Sequence, residues 1–224
     1  MNIHDVIRDL EAIKKHFKKI LQADQVDRSA QTISWHRYES GFSDRVSYVR
    51  EYQRLLDRQQ YSFLFDDSSF VQFYYEFDRE GELESAKLAF YPAPVTCDDE
   101  LEELIEDLAH CTPDIESILL EHIEKLESEG ERPTNVSHIR LDYDSSVTTH
   151  CKAHLQFGGI NNLRISSNKV LLPLTFMETV AAAFYKEHRE DLLKKERYRE
   201  DLKRAKRKSL ASELSVAFQC YMSI

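Results

Sequence analysis

Residues Thr149–Ser166 read THCKAHLQFGGINNLRIS, and alternate positions separate cleanly. His150, Lys152, His154 and Gln156 fall on one side, and Cys151, Ala153, Leu155 and Phe157 on the other. The stretch before it, HIRLDYD, divides the same way, with His138, Arg140, Asp142 and Asp144 opposite Ile139, Leu141 and Tyr143. An imidazole titrates near neutrality, and beside a permanently charged guanidinium it suits acid–base work on a phosphate or carboxylate. If SSVTT turns one strand into the next, Asp144 meets His150, Asp142 meets Lys152 and Arg140 meets His154. Across GGINN, Gln156 then meets Arg164 and His154 meets Ser166. An even shift of register changes these partners but keeps the faces. The candidate catalytic residues are therefore His154, Arg164, Arg140 and His150, with Gln156 and Lys152 as binding neighbours. The same alternation also describes the ordinary wet face of an antiparallel sheet, where cross-strand charge pairs stabilise modestly.

Other clusters carry less. Two histidines four apart on a strand lie about 13 Å apart, too far to share an ion. Cys97, Cys111, Cys151 and Cys220 form no CxxC pair, so neither a metal nor a disulfide framework is expected. The acidic run from Asp98 to Asp107 could hold a divalent cation, but carboxylates at a helix start are already favoured by the macrodipole. Asp66, Asp67 and Glu76 suggest a nuclease carboxylate set, yet the partner motif reads ESAK rather than ExK. No Walker, GxGxxG or GxSxG pattern occurs, and no cofactor is expected. Lys203, Arg204, Lys206 and Arg207 form a basic helical segment, a candidate nucleic-acid contact or half of a charge-complementary interface.

Positioning such a face requires a sheet and something to back it. The chain has 224 residues, 42% hydrophobic and 31% charged, a net charge of -10, and only five glycines and five prolines. That balance disfavours non-specific coating of nucleic acid. No run approaches the roughly 18 apolar residues of a membrane span, and the start of the chain lacks a signal-peptide pattern. A cytoplasmic protein without a membrane partner is expected. Apolar spacing predicts an amphipathic helix over Ile3–Leu21, an extended segment near Gln31–Tyr38, and a helix over Asp44–Gln60 capped by Ser43 or Asp44. YSFLF, SFVQFYYEF and ELESAKLAFY follow as a β meander, its middle strand apolar enough on both faces to be central and covered. DREGE is the second hairpin loop, and YPAP stops the meander. An acidic helical hairpin spans Asp98–Glu129, three more strands follow, and Thr175 caps a long helix from Phe176 to about Leu210. The second half of that helix is expected to project. The class is α+β, an antiparallel sheet of about six strands packed by helices. Residues 1–185 are read as one domain and 186–224 as a charged helical extension.

YSFLFDDSSFVQFYYEF, LAFYPAP, HLQFGGINNLRIS and LPLTFMETVAAAFY together resemble an uncharacterised bacterial family, domain of unknown function 2290. The shared features are a D-S-hydrophobic-Q strand, a YP strand end, and an HLH-hydrophobic-G strand ahead of an arginine and a final helix. The resemblance covers about Tyr61 to Tyr185 and carries over His154, Gly158 and Arg164; the chain departs from it at Gln156, where the pattern has a second histidine. It implies an accessory component of a bacterial defence or mobile-element system. The leading expectation is partner binding, to a protein encoded nearby or to a second copy. The alternative is a small metal-independent nuclease or toxin-like enzyme using the His/Arg face.

Overall fold

The computed structural model describes residues 1–39, 47–94, 118, 120, 135, 137–148, 151–158, 164–211 and 221–222. Residues 1–92 and 137–224 belong to one compact unit and 93–136 to another. The acidic run, the hairpin around it apart from Ile118 and Leu120, His150, Ser43, Asp44 and three of the four cysteines lie outside the described residues. Helix α1 (Ile3–His16) opens on an Asn2–Asp5 capping box. It ends one turn before Leu21, because Leu21 is used as a sheet residue opposite Phe65. Strands β1 (Leu21–Asp24), β2 (Val26–Arg28) and β3 (Thr32–Trp35) precede helix α2 (Tyr48–Asp57). The meander is β4 (Phe63–Phe65), β5 (Phe70–Phe77) and β6 (Leu83–Tyr91). Gly81, at φ 86°, supplies the left-handed residue of the β5–β6 turn. Strands β7 (Ile139–Asp144), β8 (Ala153–Phe157) and β9 (Ile165–Ser167) continue the sheet, followed by β10 (Lys169–Val170).

The main sheet runs β1-β4-β5-β6-β7-β8-β9-β12, with β3 also on β5 and β2 on β3. Strand β12 (Tyr221–Met222) pairs parallel to β9; every other described pairing is antiparallel. The α+β reading holds, with more strands than the six expected. Alternation decides the faces. Val71, Phe73, Tyr75 and Phe77 of β5, Ala86, Leu88 and Phe90 of β6, Leu141 and Ala153 form one buried side. The opposite side of β5 is covered only near Phe70, so the two-sided burial expected of that strand is half met.

The C-terminal region is three helices rather than one: α3 (Pro173–Phe184), α4 (Lys186–Leu193) and α5 (Glu196–Lys208), before β11 (Leu210–Ala211). Tyr185 breaks the first junction at φ -126°, ψ 50°. Its ring packs on Phe65 and Phe90 and its hydroxyl reaches Asp67 and Ser69, contacts that helical continuation would forbid. The charged half does not project. Helix α5 buries Tyr198, Leu202 and Ala205 at helical spacing and packs on α1 and α3. Asp9 of α1, fully buried, accepts from the Leu174 amide at 3.1 Å and from Arg204 Nη2 at 2.6 Å. A carboxylate from α1 thus serves the start of α3, where Leu172 is the N-cap residue without a side-chain cap. Thr175, expected as the cap, sits inside the first turn. His16 Nε2 meets Asp201 Oδ2 at 3.1 Å, extending the same polar seam. Among the described residues, no helix is long and apolar enough to cross a membrane.

Candidate functional site

The polar face is built where the alternation places it. Asp142 lies opposite His154 and Arg140 opposite Gln156, a shift of two from the expected register that leaves the faces unchanged. His154 lies opposite Ser166, as expected. On the other flank, Lys87 pairs with Asp142 and Ala89 with Arg140. The face therefore spans β6 to β9 in two rows.

A hydrogen-bond chain runs through it. Arg140 Nε donates to Asp142 Oδ2 at 2.9 Å, and Arg140 Nη2 donates to Gln156 Oε1 at 2.7 Å. A guanidinium has only donors, so Gln156 must present its oxygen to Arg140 and its amide nitrogen to His154 Nε2, 2.8 Å away. His154 Nε2 is then an acceptor, and the ring proton lies on Nδ1, which donates to the Cys151 carbonyl at 3.3 Å. His154 is a neutral imidazole with both nitrogens engaged. Its side chain is also buried, 5% exposed, where partial exposure was expected.

Helix α2 covers one end of the face. It turns Glu51, Tyr52 and Leu55 inward, so one carboxylate is buried among aromatic rings. Tyr91 donates to Glu51 Oε1 at 3.2 Å. Rings of Phe70, Tyr91 and His138 follow one another at centroid distances of 4.8 Å, with Tyr48 beside them. His138 Nδ1 is 3.6 Å from Glu51 Oε2, too long for a hydrogen bond. Burial, reinforced by the Arg140 charge, pushes the His138 pKa down to about 4, so the two do not form an ion pair at neutrality. Burial raises Glu51, against the Tyr91 hydroxyl and Arg140, which pull it back. Gly158 closes this end: its amide donates to the His138 carbonyl at 3.1 Å, and a Cβ there would fall 2.7 Å from His138 Cε1.

Of the expected site residues, Arg140, His154 and Gln156 are brought into one network. Arg164 is half-buried just before β9, and Lys152 is exposed beyond the network. Lys203, Lys206 and Arg207 are exposed on α5, whereas Arg204 is turned inward to Asp9 and Asp201. Sequence reasoning missed Glu51, Tyr48 and Tyr91. The one available signal was the charged position Glu51 at the helical spacing of Tyr52 and Leu55. Among the described residues no group of three His, Cys, Asp or Glu side chains could hold a metal ion.

A family model described as an uncharacterized conserved protein, DUF2290, matches residues 15–219. No curated protein matches the chain, and no solved structure does.

Proposed function

The chain belongs to the DUF2290 family, whose description names no reaction, and from that premise we propose that it is a partner-binding accessory component of a bacterial defence or mobile-element system, acting through protein–protein contacts. The engagement of His154 carries this reading. A general acid or base needs a ring nitrogen turned toward its substrate. Here Nδ1 is held by a carbonyl and Nε2 by Gln156, which Arg140 locks in turn. His138, the other described histidine of the face, is buried as well. Such a network fixes the shape of a sheet more readily than it turns over a substrate.

The surface supplies what a partner would use. Lys203, Lys206, Arg207 and Lys208 are exposed along α5, and Phe184 is 42% exposed at the end of α3. Residues 93–136 more than account for the net charge of -10, leaving the remainder slightly basic. Segregated charge of this kind steers association and selects partners. Affinity capture from the native host, followed by mass spectrometry, tests the reading. The same protein, encoded nearby or a second copy, should be captured by wild type and by His154→Ala, and lost with Lys203→Glu/Lys206→Glu/Arg207→Glu. Cleavage of RNA or DNA by the purified chain, abolished by His154→Ala, would overturn it in favour of the metal-independent nuclease or toxin-like reading.

A further inference from the structure

Helix α2 turns Glu51, Tyr52 and Leu55 inward, and its outer side carries a row of arginines. Arg50 and Arg54 lie four residues apart on the helix, Arg58 stands four further on at its C-cap, and all three are exposed. That spacing sets them one above another, about 6 Å apart along the axis. A fourth cation joins the end of the row. The buried Gln60 side chain donates through Nε2 to the Arg37 carbonyl at 3.0 Å and to the Arg58 carbonyl at 3.2 Å, so the two backbones are neighbours. Arg37 is exposed and held at φ 55°, a left-handed conformation that a non-glycine residue keeps only where its surroundings impose it. Of the acids alongside, Glu39 pairs with Arg58 at 3.0 Å and Asp57 accepts from Gln53 at 2.7 Å. Arg37, Arg50 and Arg54 make no ion pair among the described residues.

Stability does not account for the row. Like charges four apart oppose a helix, and Arg50, in the first turn, meets the positive end of the macrodipole. All four cations are arginines, whose planar fork grips phosphate through two parallel hydrogen bonds. A line of them suits a polymer that repeats its charge rather than one small anion. We propose that Arg37, Arg50, Arg54 and Arg58 form a contact surface for the phosphate backbone of a nucleic acid. The Arg58–Glu39 pair is exposed on both sides and contributes little, so it yields to a phosphate. Contacts to phosphate alone carry no sequence information, and binding is independent of base order. The surface stands apart from the partner-binding reading, which uses the α5 cations.

Fluorescence anisotropy of a labelled single strand of about 20 nucleotides, titrated with the full chain at about 50 and 200 mM salt, tests it. Four phosphate contacts give a salt slope of about −2.8, so affinity should fall about fiftyfold between those concentrations. Arg50→Gln/Arg54→Gln should halve the slope and leave only about a sevenfold fall. Arg37→Gly removes a cation where glycine suits the backbone, so it should weaken binding with the melting temperature unchanged or raised. Lys203→Glu/Lys206→Glu/Arg207→Glu should leave the oligonucleotide bound. Circular dichroism establishes that each variant is folded. Tighter binding of a duplex, with a slope near about −3.6, assigns the backbone to a double strand, and preference for the single strand to an unpaired one; either supports the surface. No binding at low salt up to about 100 µM protein, or unchanged affinity in Arg50→Gln/Arg54→Gln, overturns it. Equal displacement by poly-glutamate of matched charge also overturns it, and marks a seat for an acidic protein segment instead.

Discussion

Gly158→Ala isolates the packing that closes the covered end of the face. The added Cβ would stand 2.7 Å from His138 Cε1 and 2.8 Å from Nδ1. Carbon atoms pack comfortably at about 3.5–4.0 Å, so one side must yield by about 1 Å. The imidazole cannot yield freely, with Tyr91 and Tyr48 against it and Glu51 beyond its Nδ1. Overpacking of this kind costs about 1–3 kcal/mol. At roughly 2–4 °C per kcal/mol for a chain of this length, the melting temperature should fall by roughly 2–12 °C. The backbone itself gives no objection, since Gly158 is not at positive φ. In a His138→Ala background the clash is gone, and Gly158→Ala should become neutral or stabilise by about 0.4–1 kcal/mol through the unfolded chain. Denaturant melts of the four proteins in this cycle measure the coupling directly. Additive effects, or a Gly158→Ala variant as stable as wild type with His138 intact, would show that the ring does not occupy that space.

Arg204→Ala should destabilise the fold by about 3–5 kcal/mol, since it strands Asp9 in the interior; Asp9→Asn in the same chain should recover part of that loss in urea melts. His138, lowered from 6.5 to about 4, contributes stability that is present above pH 6.5 and lost as pH falls through 4, on the order of 3 kcal/mol; His138→Asn should flatten that limb. Asp9, raised from 3.8 to about 6 mainly by burial, has the opposite sign. Its contribution is present below pH 3.8 and lost as pH rises through 6, so the Asp9→Asn difference should reverse slope. Nitrogen-15 NMR should find His154 protonated at Nδ1 with Nε2 bare; a protonated Nε2 would mean the Gln156 amide is turned the other way.

Period-two alternation was enough to place Arg140, Asp142, His154 and Gln156 on one face, because parity survives a register error of two. What lay on top of that face was not legible. Glu51 reaches it from α2 through tertiary packing, and nothing local in YVREYQRLLD says which sheet it will meet. The C-terminal helices show the opposite failure. Helical spacing continued through Tyr185, but contacts to Phe65, Asp67 and Ser69, more than a hundred residues earlier, pulled that residue out of helical geometry. Charge density likewise suggested a projecting helix, whereas Arg204 is one of the groups that hold α5 down.

The Asp9 contacts also set a timetable for biosynthesis. Its partners lie 165 and 195 residues farther along the chain. At about 5–20 residues per second, α1 waits roughly ten to forty seconds on the ribosome before α3 and α5 both exist. Until they do, its carboxylate lacks one or both of its donors and its packing surface is incomplete. Contacts of such long separation also slow the search after release. The nascent chain is therefore a natural client for chaperones that shield apolar helices. A stop codon before residue 173 would release a chain that lacks both helices on which the first one docks.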